Sequence, residues 1–143
     1  MELEGRVWKD GKFWLIEIPA LNLMTQGKNR KDALAMAKDA ILGLFECYFE
    51  SEVDENVSIT VNDYGKDVVG ITSNDTKLLL ALSLIKQREK SGTTVREASE
   101  RLGSKSPNAY AQYEKGKTNI SLEKYEKLLI AANPVDRRHI RVV

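Results

Sequence analysis

The chain is poor in the residues that most often carry chemistry. Its 143 residues include one cysteine, Cys47, and one histidine, His139. That count excludes a disulfide and a Cys/His zinc cluster. A Ser-His-Asp or Cys-His arrangement would have to recruit His139, which sits in a basic tail and is poorly placed for a preorganised base. Asp10, Glu17, Asp63 and Asp67 fall in a turn, on a strand and at strand ends. They lack metal-ligand spacing, so neither a metal site nor a cofactor is expected. With no convergent acidic or nucleophilic set, an enzyme is the least favoured class. No apolar run approaches the ~20 residues that span a bilayer. Met1-Glu2-Leu3-Glu4-Gly5 lacks the basic-then-apolar order of a signal peptide, so the expected location is the cytoplasm.

Net charge is scarce too, at +1, but it is segregated. Residues 1–74 carry 8 Lys/Arg against 13 Asp/Glu, which is −5, and residues 75–143 carry 14 against 8, which is +6. An acidic half joined to a basic half implies two partners of opposite sign, one of them nucleic acid.

In the first half, Leu3–Trp8 and Phe13–Ile18 flank Asp10-Gly11, a strong hairpin signal because both turn positions tolerate positive φ. Pro19 closes the second strand, since it cannot donate to a ladder. A third strand fits Leu23–Gln26, stopped by Gly27. Asn29 can cap a helix, with Asp32 three residues on. Leu34, Ala37, Ile41, Leu44, Phe45 and Tyr48, spaced by three and four, give it one buried face as far as Glu50. Cys47 lies beside that face and reads as packing. Val57–Val61 alternates and forms a fourth strand. Trp8, Phe13 and Trp14 are either core or binding surface. Phe13 and Trp14 must point to opposite sides, so one of them faces away from the helix.

Asp10-Gly11-Lys12-Phe13-Trp14, Ile18-Pro19-Ala20-Leu21, Thr25-Gln26-Gly27, Asp32-Ala33-Leu34 and Ala37-Lys38-Asp39-Ala40-Ile41 occur in that order. Together they resemble the HicB antitoxin family over roughly residues 3–62, with Asn22-Leu23 in place of the usual Gly-Cys. The resemblance implies a reduced ribonuclease-H-like domain without that fold's acidic metal set. It also implies a partner, HicA, a small basic mRNA-cleaving toxin whose active site the antitoxin covers. Trp14, Glu17, Met24 and Gln26, on or near strands that one helix cannot cover on both sides, are the candidate toxin contacts.

The second half reads as all-helical. Ser73-Asn74-Asp75 offers a cap, and the first helix carries Leu78, Leu79, Leu82 and Ile85 before Gly92 ends it. Thr94 with Glu97 makes a capping box for a short helix that buries Val95, Ala98 and Leu102. Ser106 and Pro107 open a third helix, which runs to Gly116 and is anchored by Tyr110 and Tyr113. Ser121 caps a fourth helix that buries Leu122, Tyr125, Leu128, Leu129 and Ala132 and ends before Pro134. The spacing from Leu84 to Asn133 resembles the Cro/phage-repressor class of helix-turn-helix, with one extra residue between Leu102-Gly103 and Tyr113-Glu114-Lys115-Gly116. In such motifs one helix enters the major groove. The base-reading candidates are Ser106, Asn108, Ala109 and Gln112, since Asn and Gln suit adenine and Ala suits a thymine methyl. Thr94, Lys105, Lys115, Lys117, Thr118 and Asn119 are the phosphate-contact candidates. A solvated helix face is the bland alternative.

The expected organisation is α+β. A β-β-β-α-β domain covers residues 1–64 and a linker covers 65–74. A helix-turn-helix domain covers 75–134, and a basic tail covers 135–143. A motif this small needs a homodimer or higher homo-oligomer to read a two-fold operator, with Leu129, Ile130 and the tail as candidate seams. Two functions fit: an antitoxin that also represses its own operon, or a one-component regulator whose first domain senses a small molecule.

Overall fold

The structure, a computed structural model, describes residues 1–135 and the backbone of Ile140 and Arg141. The chain forms two compact units, one built on Met1–Asn74 with the C-terminal strand and the other starting at Asp75.

In the first unit β1 (Glu2–Asp10), β2 (Phe13–Ile18), β3 (Leu23–Gly27), α1 (Arg30–Tyr48), β4 (Ile59–Asp63) and β5 (Val68–Ser73) follow in order. The sheet order is β3-β2-β1-β5-β4, and every pairing is antiparallel. The expected linker at 65–74 instead contains β5, the strand beside β1. The turn signals before it make a β4–β5 hairpin, with Gly65 at φ +77° and Lys66 at φ +50°. The Asp63 carboxylate accepts from the Gly65 amide at 2.9 Å and tightens that turn. The expected fourth strand therefore starts later, at Ile59. The Ser58 amide donates to Asn74 Oδ1 (2.8 Å), and the Ser73 hydroxyl donates to Ser58 O (2.8 Å).

The α1 N-terminus follows the capping expectation with one change. Asn29 Oδ1 accepts from the Asp32 amide at 2.8 Å, while Asp32 reaches back to the Lys28 amide at 2.9 Å. The helix buries Ala33, Ala37, Ile41 and Phe45, a clean i, i+4 row. Tyr48 and Cys47 are exposed, so Cys47 is not packing. Small residues on this row let the helix lie close to the sheet. A Cβ on Gly27 would stand 2.3 Å from the Ala33 amide nitrogen. Asn22 takes the left-handed φ of +47° at the end of the Pro19–Leu21 turn.

Gly27 pairs with Trp14 and faces α1, which sets the sheet's two sides. Trp14, Ile16 and Ile18 lie on the helix side. Phe13, Leu15 and Glu17 lie on the other. Arg30 clamps the helix start to the sheet. It donates twice to Asp63 (2.9 and 2.7 Å) and to Lys66 O, and its guanidinium sits 5.9 Å from the Trp14 ring. That guanidinium, with the Gly65 amide, holds the Asp63 carboxyl at about 2.

In the second unit α2 (Thr76–Ser91), α3 (Val95–Arg101), α4 (Asn108–Ala111), a 3₁₀ turn (Gln112–Lys115) and α5 (Leu122–Ala132) follow. Leu78 through Ile85 are all buried, Ser83 included, so this stretch of α2 is enclosed on every side, while its last turns, from Lys86, are polar. Leu122, expected in the core, is 47% exposed; Tyr125, Leu128, Leu129 and Ala132 are buried. Burial removes Leu129 as a dimer seam. In the tail, Ile140 and Arg141 pair with Leu3 and Glu2 of β1. The rest of the tail, His139 included, lies outside the described residues.

Two predictions follow from the first unit. Gly27→Ala forces the helix off the sheet and lowers stability by about 1–3 kcal/mol in a denaturant titration. Asp63→Asn lowers stability at neutral pH by under about 1 kcal/mol, because the Arg30–Asp63 pair is partly exposed. A carboxyl held low in the folded state stabilises above the ordinary range of about 4 and loses that effect as pH falls toward 2. The two proteins should therefore converge in stability across that window.

Candidate nucleic-acid interface

The second unit is assembled so that a very short helix is held at a set angle. Thr94 begins α3 with a complete capping box: its Oγ1 accepts from the Glu97 amide, and its own amide donates to Glu97 Oε1, both at 3.1 Å. The Thr94 amide donating to that carboxylate, with the Thr94 hydroxyl beside it, holds the Glu97 carboxyl below its usual range. Leu102 and Gly103, the latter at φ +85°, turn the chain. Gly103 and Pro107 bracket a short connection. There the Ser106 amide donates to Ser104 Oγ (3.2 Å), and Ser106 Oγ accepts from the Asn108 amide (3.3 Å).

Ser99 fixes the angle between α3 and α4. It is 1% exposed, donates to Pro107 O at 2.8 Å and accepts from the Tyr110 amide at 3.2 Å. Tyr110 is fully buried, and its hydroxyl donates to Leu84 O at 3.4 Å. Burial pushes that phenol far above its ordinary range, so it remains a neutral anchor. Arg88 of α2 grips the 3₁₀ turn from behind. Its Nε and Nη2 donate to the two Glu114 carboxylate oxygens at 2.7 and 3.0 Å, and Nη1 donates to Thr93 O at 3.2 Å. The hydrogen bond to Glu114 raises the Arg88 pKa further. Arg101 reaches Ala131 O and Thr93 Oγ1, and the Asn133 amide donates to Gln87 Oε1 at 3.0 Å, so α5 closes the unit.

Against that frame, Ser106, Asn108 and Gln112 are exposed along the α4 segment, and Ala109 is half-buried. Asn108 and Gln112 are four residues apart at the start of the two halves of the segment. Lys105 precedes it, and Lys115, Lys117, Thr118 and Asn119 follow it, all exposed. Thr94 is exposed as well, but the capping box occupies its amide and one acceptor position. Arg96, passed over by the sequence reading, is exposed on the first turn of α3. Ser99, Arg88, Glu114 and Arg101 were also passed over. The one available signal was a serine beside Ala98 on an otherwise apolar helix face.

The first-unit candidates divide. Glu17 and Met24 are register partners, and Gln26 pairs with Leu15, so all three share the side away from α1. Trp14 is on the helix side with Arg30 and does not join them. Among the described residues no group of three or more His, Cys, Asp or Glu is placed to hold a metal ion, and no helix is long and apolar enough to cross a membrane.

Residues 84–138 match the helix-turn-helix family, of the Cro/C1 type. This region is a DNA-binding domain of the kind that regulates transcription. No curated protein matches the chain.

Glu114→Ala leaves the partly buried Arg88 guanidinium without its carboxylate. The expected cost is about 1.5–3 kcal/mol in chemical denaturation, with a loss of DNA affinity, opposite to the gain that removing one negative charge would by itself produce.

Proposed function

We propose that this chain is a HicB-like antitoxin that represses its own operon. In this reading the second unit binds operator DNA as a homodimer or higher homo-oligomer, and the acidic first unit covers a small basic HicA-like mRNA-cleaving toxin in the cytoplasm. No catalysis is assigned to the chain. The observation that carries the reading is one exposed row, Asn108 and Gln112 with Lys105 and Lys115 at its ends, on a half of charge +6 joined to a half of charge −5. The basic half supplies phosphate attraction, and the amide side chains supply base discrimination. An acidic surface speeds association with an RNA-binding protein and competes with RNA phosphate for it. The ordered resemblance over residues 3–62 gives the partner its class.

The alternative, a small-molecule sensor, calls for an enclosed apolar pocket in the first unit. A depression in that unit is lined by Glu46, Glu50, Val53, Asp54 and Glu55, four carboxylates around one valine, which does not favour it.

Gel shifts with duplex DNA from the chain's own promoter test the DNA half. Asn108→Ala and Gln112→Ala should each cost about 1–3 kcal/mol and relax preference at one base pair. Lys115→Ala should weaken all sequences alike and lower the salt slope by about 1. Co-purification with the product of the adjacent open reading frame tests the antitoxin half; no complex at low salt would sink it.

A further inference from the structure

One helix covers one side of the five-stranded sheet, and the other side stays open where β1, β2 and β3 meet. Phe13 is 47% and Met24 54% exposed there, with Leu15 and Trp8 half-buried beside them. The register explains the grouping. Trp8 pairs with Leu15, while Arg6, Glu17 and Met24 form one row across the three strands. An apolar cluster of this size on a strand face is an uncovered surface rather than scattered exposure.

The charges in that row are arranged unexpectedly. Arg6 is the direct cross-strand neighbour of Glu17, yet it turns away to Glu4 Oε1 and Asp67 Oδ2, each at 3.4 Å. Among the described residues the half-buried Glu17 makes no ion pair, with Leu15 next along its strand face and Met24 across from it. With its cross-strand arginine engaged elsewhere, the Glu17 carboxylate on this face is available to an incoming cation.

We infer that this open face is the docking surface for a basic protein, with Glu17 receiving a lysine or arginine and Phe13, Leu15 and Met24 packing around that residue's aliphatic stem. Charge selects this occupant over a second copy, since two copies of the acidic segment 1–74, each at −5, repel one another. The inference rests on the reading that the first unit binds a partner protein. It adds the face and the anchor, and it leaves out Trp14, which is on the helix side.

The probe is the purified product of the adjacent open reading frame, titrated calorimetrically into the full-length chain at low and moderate salt. Glu17→Arg should weaken binding at least tenfold, and Lys38→Glu, on exposed α1, less than twofold. A mutation-free readout uses two exposed methionines of the wild type, Met24 on the open face and Met36 on α1. The partner should slow peroxide oxidation of Met24 several-fold and leave Met36 unchanged. Wild-type binding with an unaffected Glu17→Arg and equal oxidation of both methionines overturns the inference and leaves the antitoxin reading standing. Absence of wild-type binding overturns both. A change in self-association by Glu17→Arg at unchanged partner affinity marks a contact between copies and also overturns it.

Discussion

The segment Asn108–Lys115, four α-helical residues followed by four in a 3₁₀ turn, holds no shape alone, because isolated helices are marginal below about 12–15 residues. Its conformation is borrowed from what lies behind it. Arg88 and Glu114 form a two-point clamp across the rear of the turn, and Ser99 accepts and donates at the front. Buried Tyr110 pins the middle. With these in place, the outward side chains Asn108 and Gln112 project from a rigid base, which a base-reading element requires.

The first unit solves a different problem. A single amphipathic helix can shield only one surface of a five-stranded antiparallel sheet, so alternation along each strand produces one core face and one open face. The close fit on the covered side depends on Gly27 and on the small residues Ala33 and Ala37. Arg30 then ties the helix start to the β4–β5 hairpin through Asp63 and Lys66. The open side carries Phe13, Met24 and Glu17, residues that a free-standing sheet would not choose for contact with water alone. Both units therefore present side chains that their own packing does not use.

In the proposed function, charge assigns these two surfaces to different partners. Phosphate attraction and protein masking need fields of opposite sign, and the two lie in different compact units. No side chain need change protonation for either role. The perturbed groups, Asp63, Glu97 and the buried tyrosines, are structural pairs, caps and anchors.

The capping residues Asn29, Thr94 and Ser121, the hairpin at Gly11 and the glycine-terminated helices were legible in the sequence because each is a local event, although the turn is Gly11-Lys12, with Asp10 of β1 paired to Phe13. Neighbouring side chains and backbone amides decide them within one turn. The charge split was equally plain. Three features needed the tertiary structure. Val68–Ser73 reads as a linker until it is seen that its turn closes a hairpin and its strand pairs with β1, more than sixty residues away in sequence. Trp14 reads as a partner of Glu17 and Met24 until pairing with Gly27 puts it on the helix side. Arg88, Ser99 and Glu114 look like ordinary polar residues until folding brings them together around the Asn108–Lys115 segment. The physical reason is common to all three: strand register and long-range hydrogen bonds depend on which distant groups meet, and local propensity carries no information about that.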